Sequence, residues 1–297
     1  MSTGSRDGGR RGAQRGMVLV IVLWIVTLLA VMAGGFADSM RVETRLATGV
    51  VERAQARALA EAGVAYALAW QLDPETGRRR WPPSGDPHDW AFGGGRLRIQ
   101  VTNASGLVNL NSASAELLKA LFAAAGVDPR DQDRLAEVIL DWREPDRRRP
   151  GGVNRAVGRP GSKQAGFESV EELQRVLGIP KDVYERIAGA VTVFSNHVGV
   201  SPELAPAWLL RALGLDERTV VDYVAARARA AAEGSPPPPL PRNSGQSFFS
   251  GGRASVYHVT VAAETESGTT VIVHAVADAQ GRLSGQDLRL LAWREGR

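Results

Sequence analysis

The residues from Met17 to Ala37 carry no charge, and this uncharged segment constrains the fold more than any other feature of the chain. Its length of about 20 residues allows it to cross a bilayer core of roughly 30 Å as an α-helix. Four arginines and one acid precede it, and such a basic flank is typical of an end that stays in the cytoplasm. A secretory signal usually has a shorter apolar core of about 7–15 residues, although "GGFA" also suits cleavage after Ala37. The length favours a retained anchor, with cleavage before Asp38 as the alternative.

A helical pattern continues beyond the uncharged segment. Between Ser39 and Leu72 there is no proline, and apolar or small residues recur at helical spacing while charges occupy the opposite face. The pattern ends at Asp73-Pro74, because proline disfavours the helical conformation of the residue before it. We therefore predict one long helix that is apolar first and amphipathic afterwards. Gly34-Gly35 lies inside it and is a candidate flexible joint, since glycine costs about 1 kcal/mol against alanine in a helix.

The remaining strand signals lie in two separate parts of the chain. "TGRRRWPPSGDPHDWAFGGG" is expected to form a loop, and in the "RLRIQVTNA" that follows it apolar residues alternate with polar ones, as in a half-buried strand. Three further strands are predicted near the end, in "ASVYHVTVAAE", "TTVIVHAVAD" and "DLRLLAWRE", with "TESGT" as a hairpin turn between the first two. We expect these strands to form one antiparallel sheet packed against the exposed half of the N-terminal helix.

Three similar units lie between these strands, each consisting of two short helices joined by a Gly-hydrophobic turn. They are "GLVNLNSASAELLKALFAAAGVDPRDQDRLAEVILDWR", "GFESVEELQRVLGIPKDVYERIAGAVTVFS" and "GVSPELAPAWLLRALGLDERTVVDYVAARA". Ser169 to Glu172 matches a capping box, and Ser201-Pro202-Glu203 carries the residues that favour a helix start. The leucines of each first helix face apolar residues of the second, so each unit is predicted to form a helical hairpin.

These units resemble helix-hairpin-helix motifs, which in DNA-binding proteins present a Gly-hydrophobic-Gly turn to phosphate. Here the turns read "GVD" at Gly126, "GIP" at Gly178 and "GLD" at Gly214, so the second glycine is missing each time. Two turns place an aspartate at that position, and a carboxylate repels phosphate. The pattern favours structural packing over DNA binding.

The sequence contains no recognisable catalytic motif. It has no cysteine, which excludes disulfides and thiolate metal sites, and it holds no nucleophile elbow and no phosphate-binding loop. The four histidines share no metal-ligand spacing, and His258 and His274 fall in predicted strands as ordinary sheet residues. Clustered carboxylates are candidates for a calcium site. These are Asp128, Asp131, Asp133, Asp141 and Asp146. The segment after Asp146 is basic and short of acids, which disfavours calcium, so we expect no cofactor.

The junction between the basic leader and the apolar segment resembles a type IV prepilin signal. Gly16 stands directly before the apolar helix, and in that family a membrane peptidase cuts after this glycine and methylates the new N-terminus. The resemblance implies cleavage between Gly16 and Met17, N-methylation of Met17, and a retained membrane anchor. The anchor includes Val18, Leu19, Leu23, Trp24, Leu28 and Leu29. Most members have a glutamate at the fifth mature position, which here is Ile21.

Taken together, these features resemble the minor pseudopilin K family of the type II secretion system (general secretion pathway protein K). The resemblance rests on "VNLNSASAELL", "ILDWREPD", "FESVEELQRVLGI" and "VTVFS", and its most specific parts are the NLN-(S/T)-A and DWR-(D/E)-PD segments. That family also lacks the glutamate that Ile21 replaces. The resemblance implies an α+β fold, in which a pilin-like long N-terminal helix packs on an antiparallel sheet and a large all-α (helix-hairpin-helix or SAM-like) domain is inserted. The implied segments are a prepilin leader (1–16), a transmembrane and amphipathic helix (17–72), a loop with the first strand (73–105), the inserted helical domain (106–232), a Pro/Gly/Ser linker (233–252) and the C-terminal strands (253–297).

The resemblance also implies a function without catalysis. It predicts a single-pass protein of the bacterial inner membrane, with its N-terminus cytoplasmic before prepilin peptidase acts and its bulk in the periplasm. Its implied partners are other minor pseudopilins at the tip of a short secretion filament, which the bulky inserted domain would start or limit. One alternative is a membrane-anchored helix-hairpin-helix protein that binds DNA during DNA uptake. Another is a soluble secreted protein whose signal is cut after Ala37.

Overall fold

The computed structural model describes residues 10–73, 81–143, 165–176, 178–240, 248–279 and 288–296. The chain divides into two compact units, residues 1–55 and residues 56–297. Helix α1, Arg10–Leu72, contributes to both units. It ends directly before Asp73-Pro74, as the sequence predicts, and it is continuous through Gly34-Gly35.

A five-stranded antiparallel sheet forms one part of the second unit. Its strands are β1 (Ser84–Phe92), β2 (Gly95–Asn103), β5 (Val256–Glu264), β6 (Thr270–Asp278) and β7 (Arg289–Gly296), in the order β1-β2-β5-β6-β7. The strand near Ile99 therefore joins the C-terminal strands, which confirms the predicted sheet. The β5–β6 turn closes through the Thr265 amide, which donates to the Thr269 carbonyl at 3.0 Å.

Strand β1 lies where the sequence predicted only a loop, and that prediction was wrong. Its side chains alternate between the two faces of the sheet, so His88 and Trp90 stand opposite Ile99 and Leu97 of β2. The pairing register shifts between Ser84 and Pro87, at the outer edge of the sheet. Because an edge strand uses only one side of its backbone for pairing, it tolerates a proline that a central strand would not. The sequence analysis missed this strand because its segment is rich in proline and glycine, which usually indicate a loop.

The last part of α1 packs on one face of the sheet. Its buried residues include Ala56, Ala60, Val64 and Ala67, which meet the alternate apolar side chains of β2, β5 and β6. These strand residues are Leu97, Ile99, Val101, Tyr257, Val259, Val261, Ala263, Val271, Val273, Ala275 and Ala277. Small residues on the helix let it lie close to the sheet, so the predicted helix-on-sheet layer is confirmed.

The helical part of the second unit has its own core. It contains α2 (Ala115–Ala124), α3 (Pro129–Arg143), α4 (Lys181–Ile187), α5 (Ala207–Ala212) and α6 (Glu217–Glu233). Within the described residues, 3₁₀ helices accompany them at Ala104–Gly106, Val170–Arg175 and Ala188–Ala190. Two short strands, β3 (Val108–Asn109) and β4 (Val191–Thr192), pair in parallel and bring the start and middle of this part together. In the first predicted hairpin, the leucines of α2 and the apolar residues of α3 share this buried core, with Val138 packed against it. The buried members are Leu117, Leu118, Leu121, Leu135 and Ile139.

One predicted capping box and one predicted helix start are wrong. The segment after Ser169 forms a 3₁₀ helix, and the Ser169 side chain makes no capping hydrogen bond, although the Glu168 amide donates to Oε1 of Glu172 at 3.1 Å. Ser201-Pro202-Glu203 forms a turn, and α5 begins only after Pro206. There the Ser201 amide donates to the Ser105 carbonyl at 2.7 Å, so this segment serves the junction with residues 104–106 instead of starting a helix.

Part of the predicted linker packs against the helical part of the second unit. Phe249 forms a parallel bridge with Val200, and Phe248 and Phe249 pack against the core of the helical part. Hydrophobic burial of these two rings holds the chain to the helical part before β5 begins.

Candidate functional site

The apolar residues predicted to form the membrane anchor are exposed along the first part of α1. Side chains at Met17, Val18, Leu19, Ile21, Leu23, Trp24, Leu28 and Leu29 are between 51% and 72% exposed. Within the described residues, α1 is the one helix that has the length and apolar composition to cross a membrane. Exposed apolar side chains at this density favour a lipid or helical environment over water. Gly16 lies inside the helix, and the cleavage and methylation assigned to Gly16 and Met17 stay predictions.

Side chains of the "NLNS" motif, residues 109–112, form hydrogen bonds to two distant segments of the helical part, one at Phe167 and one at Ser195–His197. Asn111 forms two hydrogen bonds to the backbone of Phe167: the Phe167 amide donates to Oδ1 at 2.7 Å, and Nδ2 donates to the Phe167 carbonyl at 2.9 Å. Asn109 accepts from the Asn111 amide at 2.8 Å and donates to the Ser195 carbonyl. Ser112 donates to the His197 carbonyl at 2.6 Å. These loop segments lie outside regular helices and strands, so the asparagine side chains supply hydrogen-bond partners for their backbone amide and carbonyl groups.

The "DWR" motif contacts the same segment. Nη1 of Arg143 donates to the Leu110 carbonyl at 2.8 Å, between the two asparagines of the first motif. Trp142 is buried in the helical core and lies with Phe167 at a ring-centroid distance of 6.1 Å. The two most specific motifs of the family resemblance therefore form one structural clasp around residues 109–112. Sequence reasoning noted both motifs without predicting that they meet.

The glycines of the three predicted hairpin turns all have a positive φ. Gly126, Gly178 and Gly214 have φ values of 73°, 99° and 97°, in the left-handed region that glycine adopts most readily. After the first and third turns, aspartates cap the next helix. Asp128 accepts from the Arg130 amide at 2.9 Å, and Asp216 accepts from the Thr219 amide at 3.0 Å. These carboxylates occupy the helix N-termini that phosphate would need, which counts against DNA binding.

The four described acids among those considered for calcium have interaction partners within the protein. Asp131 pairs with Arg134 at 3.0 Å and Asp133 with Lys119 at 2.5 Å, while Asp128 caps α3. Asp141 also has an interaction partner, and Asp146 lies outside the described residues. Among the described residues, no three potential ligands lie close enough to hold a metal ion. A calcium site in this region stays a prediction that the described acids do not support.

The helical part and the sheet meet through polar contacts on the face of the sheet opposite α1. Oγ1 of Thr192 and Nε2 of His258 are 2.9 Å apart, and Arg294 of β7 pairs with Glu171 at 3.0 Å. Burial lowers the pKa of His258 from its ordinary 6.5 to about 4, so its imidazole is neutral at neutral pH. His258 and His274 do lie in strands, as predicted, but they face this junction.

A cluster of aromatic side chains lies between α1 and β1 and covers one side of the core between α1 and the sheet. The sequence analysis did not predict it. Tyr66 stacks on Trp90 with ring centroids 4.1 Å apart, Trp81 stacks on His88 at 4.4 Å, and Phe92 stacks on Trp90 at 4.6 Å. The alternation of His88, Trp90 and Phe92 was the available signal, because a period of two places all three on one face of a strand.

A long apolar N-terminal helix, a helix-on-sheet layer and an inserted helical region define a pilin-like α+β architecture. Residues 98–196 match the family model of protein K of the type II secretion system. This match covers about a third of the chain and includes the motifs named above, so the resemblance found in those motifs is confirmed.

The fold is also similar to a chain in the crystal structure of the GspK-GspI-GspJ complex from the type 2 secretion system of enterotoxigenic Escherichia coli. The similarity covers 87% of the present chain and 99% of that chain, with a TM-score of 0.50 and 14% sequence identity. At this identity the likeness concerns the fold. No curated protein sequence is significantly similar to the present chain.

Proposed function

We propose that the chain is a minor pseudopilin of the type II secretion system and works without catalysis. The observation that carries this proposal is the match of residues 98–196 to the protein K family, supported by the pilin-like fold over 87% of the chain. The clasp between the two family motifs lies in this matched region. Its role is to hold the inserted helical domain in one shape.

The chain assembles with other minor pseudopilins at the tip of the pseudopilus and there initiates or limits the filament. The similar solved structure is a complex of GspK with GspI and GspJ, which supports a hetero-oligomer. The inserted helical domain adds bulk that would hinder stacking of another subunit above it. Ile21 supports the tip position, because a subunit with no neighbour above needs no carboxylate to neutralise that neighbour's terminal amine.

Maturation begins with cleavage by prepilin peptidase between Gly16 and Met17, followed by N-methylation of Met17. The arginine-rich leader and the exposed apolar residues of α1 support this route. The mature chain stays in the inner membrane through residues 17–37, and its bulk is periplasmic. DNA uptake is the less favoured alternative, because Asp128 and Asp216 cap the helix N-termini that would contact phosphate.

Mass spectrometry of the N-terminus tests this proposal. The full chain is expressed in cells with and without prepilin peptidase, and methylated Met17 is the expected N-terminus only when the peptidase is present. A chain that begins at Asp38, or an unprocessed Met1 beside active peptidase, would overturn the proposal. Gly16→Ala is expected to slow cleavage strongly, whereas Gly49→Ala, on the same helix, leaves it unchanged.

Co-purification tests the assembly step. The full chain is expressed with the other minor pseudopilins of its own secretion system and extracted in detergent. A stable complex is expected with the wild-type chain. If the correctly processed chain is recovered free of these partners, the tip role is wrong even though the maturation route holds.

A further inference from the structure

A cleft of about 480 Å³, lined by both apolar and polar side chains, separates the helical part from the sheet, on the face opposite α1. The floor of the cleft consists of outward side chains of β2, β5, β6 and β7, and residues before and within α4 and α5 form its walls. Its volume lies within the range of about 300–1,000 Å³ that is usual for sites of small ligands. Polar contacts at Thr192–His258 and Glu171–Arg294 join floor and wall beside it.

The floor presents hydrogen-bonding side chains in register across the sheet. Gln100, Thr260, His274 and Arg294 are successive cross-strand partners, so they form one row across four strands. Oγ1 of Thr260 and Nδ1 of His274 are 3.0 Å apart. Hydroxyl and neutral imidazole groups each both donate and accept hydrogen bonds, so this row matches a ligand that carries many hydroxyl groups.

The wall adds a polar group without a partner and an aromatic ring. Tyr184 lines the cleft and is 7% exposed, and its hydroxyl has no hydrogen-bond partner among the described residues. A buried hydroxyl of this kind costs about 1–3 kcal/mol unless a water or a ligand satisfies it. Trp208 lines the same cleft and is 45% exposed, which leaves much of its indole available to a ligand.

The charge of the cleft favours an uncharged ligand. Arg294 and Glu171 neutralise each other at 3.0 Å, and burial lowers the pKa of both His258 and His274, which keeps the imidazoles neutral at neutral pH. A charged ligand would find no opposite charge to offset its desolvation. A peptide strand would need a free sheet edge, whereas the cleft lies on the face of the sheet and three of its four floor strands, β2, β5 and β6, are paired on both sides.

From this geometry we propose that the cleft binds a neutral oligosaccharide. The row of Gln100, Thr260 and His274 hydrogen-bonds its hydroxyl groups, the Tyr184 hydroxyl gains a partner, and Trp208 packs on a sugar ring. Apolar ring faces with polar rims suit the amphipathic surface of a sugar. This site is separate from the assembly role, and it holds whether or not the chain is a filament subunit.

The four histidines of the chain allow a direct test. The full chain is labelled at histidine, held in a detergent without a sugar headgroup, and titrated separately with maltotriose, triacetylchitotriose and trialanine. With at least one saccharide, the NMR signals of His258 and His274 are expected to shift in a saturable way with one common Kd. Signals of His88 and His197, which do not line the cleft, stay unchanged.

Two variants locate the binding. Thr260→Val and Tyr184→Phe each remove one hydrogen-bonding group from the cleft and are expected to weaken binding roughly tenfold. Thr270→Val, outside the cleft lining on β6, is the matched control and leaves Kd unchanged. Three results would overturn the proposal: no saturable shift with either saccharide, an equal response to trialanine, or equal Kd values for all three variants.

Discussion

At Gly63 the backbone of α1 lies directly against the sheet. A Cβ added there would lie 2.8 Å from Cγ1 of Val261 and 2.9 Å from Cδ2 of Leu97. We expect Gly63→Ala to lower the free energy of unfolding by about 1–2 kcal/mol, because overpacking outweighs a gain of about 1 kcal/mol in helix propensity. The measurement is denaturant unfolding of the full chain in detergent, followed by tryptophan fluorescence.

Gly49→Ala is the matched control for this prediction. It makes the same substitution on the same helix, at a position where the added Cβ meets nothing within 4 Å. It is expected to leave the free energy of unfolding unchanged or to raise it. Equal destabilisation by both variants would mean that the effect comes from the helix and not from its contact with the sheet.

The lowered pKa of His258 predicts that the stability of the fold depends on pH. Its pKa is about 4 in the folded chain and about 6.5 when the chain unfolds, so between these values the unfolded state binds more protons. The contribution of His258 to the free energy of unfolding is therefore complete above pH 6.5 and is lost as the pH falls toward 4. The loss is at most about 3 kcal/mol. Burial and the positive charge of Arg294 also lower the pKa of His274, which adds in the same direction.

The variant His258→Gln checks this prediction. Glutamine is uncharged at every pH, so the free energy of unfolding of the variant is expected to fall less between pH 6.5 and pH 4 than that of the wild-type chain. Denaturant unfolding at several pH values measures the difference. If both proteins lose the same stability over this range, His258 does not titrate as the structure implies.

At the scale of elements, the clasp of residues 109–112 holds the helical part together. Asn111→Ala removes both hydrogen bonds to Phe167 and leaves an amide and a carbonyl without partners. We expect a loss of about 2–3 kcal/mol in the free energy of unfolding, measured by denaturant titration. Asn196→Ala, at an exposed loop position, is the control and is expected to change stability by less than about 0.5 kcal/mol. A similarly small effect of Asn111→Ala would show that the clasp contributes little.

The elements also show where local sequence signals succeed and where they fail. The end of α1 and the left-handed turns at Gly126 and Gly214 follow from residues next to each other in the chain. The helix predicted at Ser201 does not form, although Ser201-Pro202-Glu203 carries the residues that favour a helix start. Its backbone pairs with Ser105 instead, so a contact with a distant residue overrides the local preference.

For the whole molecule, the junction between helical part and sheet relies on a buried polar contact more than on an ion pair. Thr192 is fully buried, and its hydroxyl serves both His258 and the Phe194 amide. Thr192→Val is expected to cost about 1–3 kcal/mol, because both groups lose their partner. Glu171→Gln is expected to cost less than about 1 kcal/mol, since both members of its ion pair with Arg294 are 51% exposed. Unfolding in low and high salt measures both variants, and the reverse order of effects would contradict this view.

Much of the fold was predictable because its signals are periodic. The uncharged segment, the helical spacing up to Leu72 and the alternation in β2, β5 and β6 are local patterns that depend on burial of one face. Strand β1 was missed because proline and glycine signal a loop, and only the edge position in the finished sheet permits them. The clasp and the cleft were missed because asparagine, threonine and histidine carry no periodic signal.

The sequence by itself determined the long N-terminal helix, its apolar half, the α+β class and the protein K motifs. Each of these follows from neighbouring residues, whose spacing decides which surface is apolar. Only the tertiary structure decided that Asn111 and Arg143 meet around one segment, that β1 completes the sheet, and that His258 and His274 face a cleft. These contacts join residues far apart in the chain, and their partners exist only after both cores have packed.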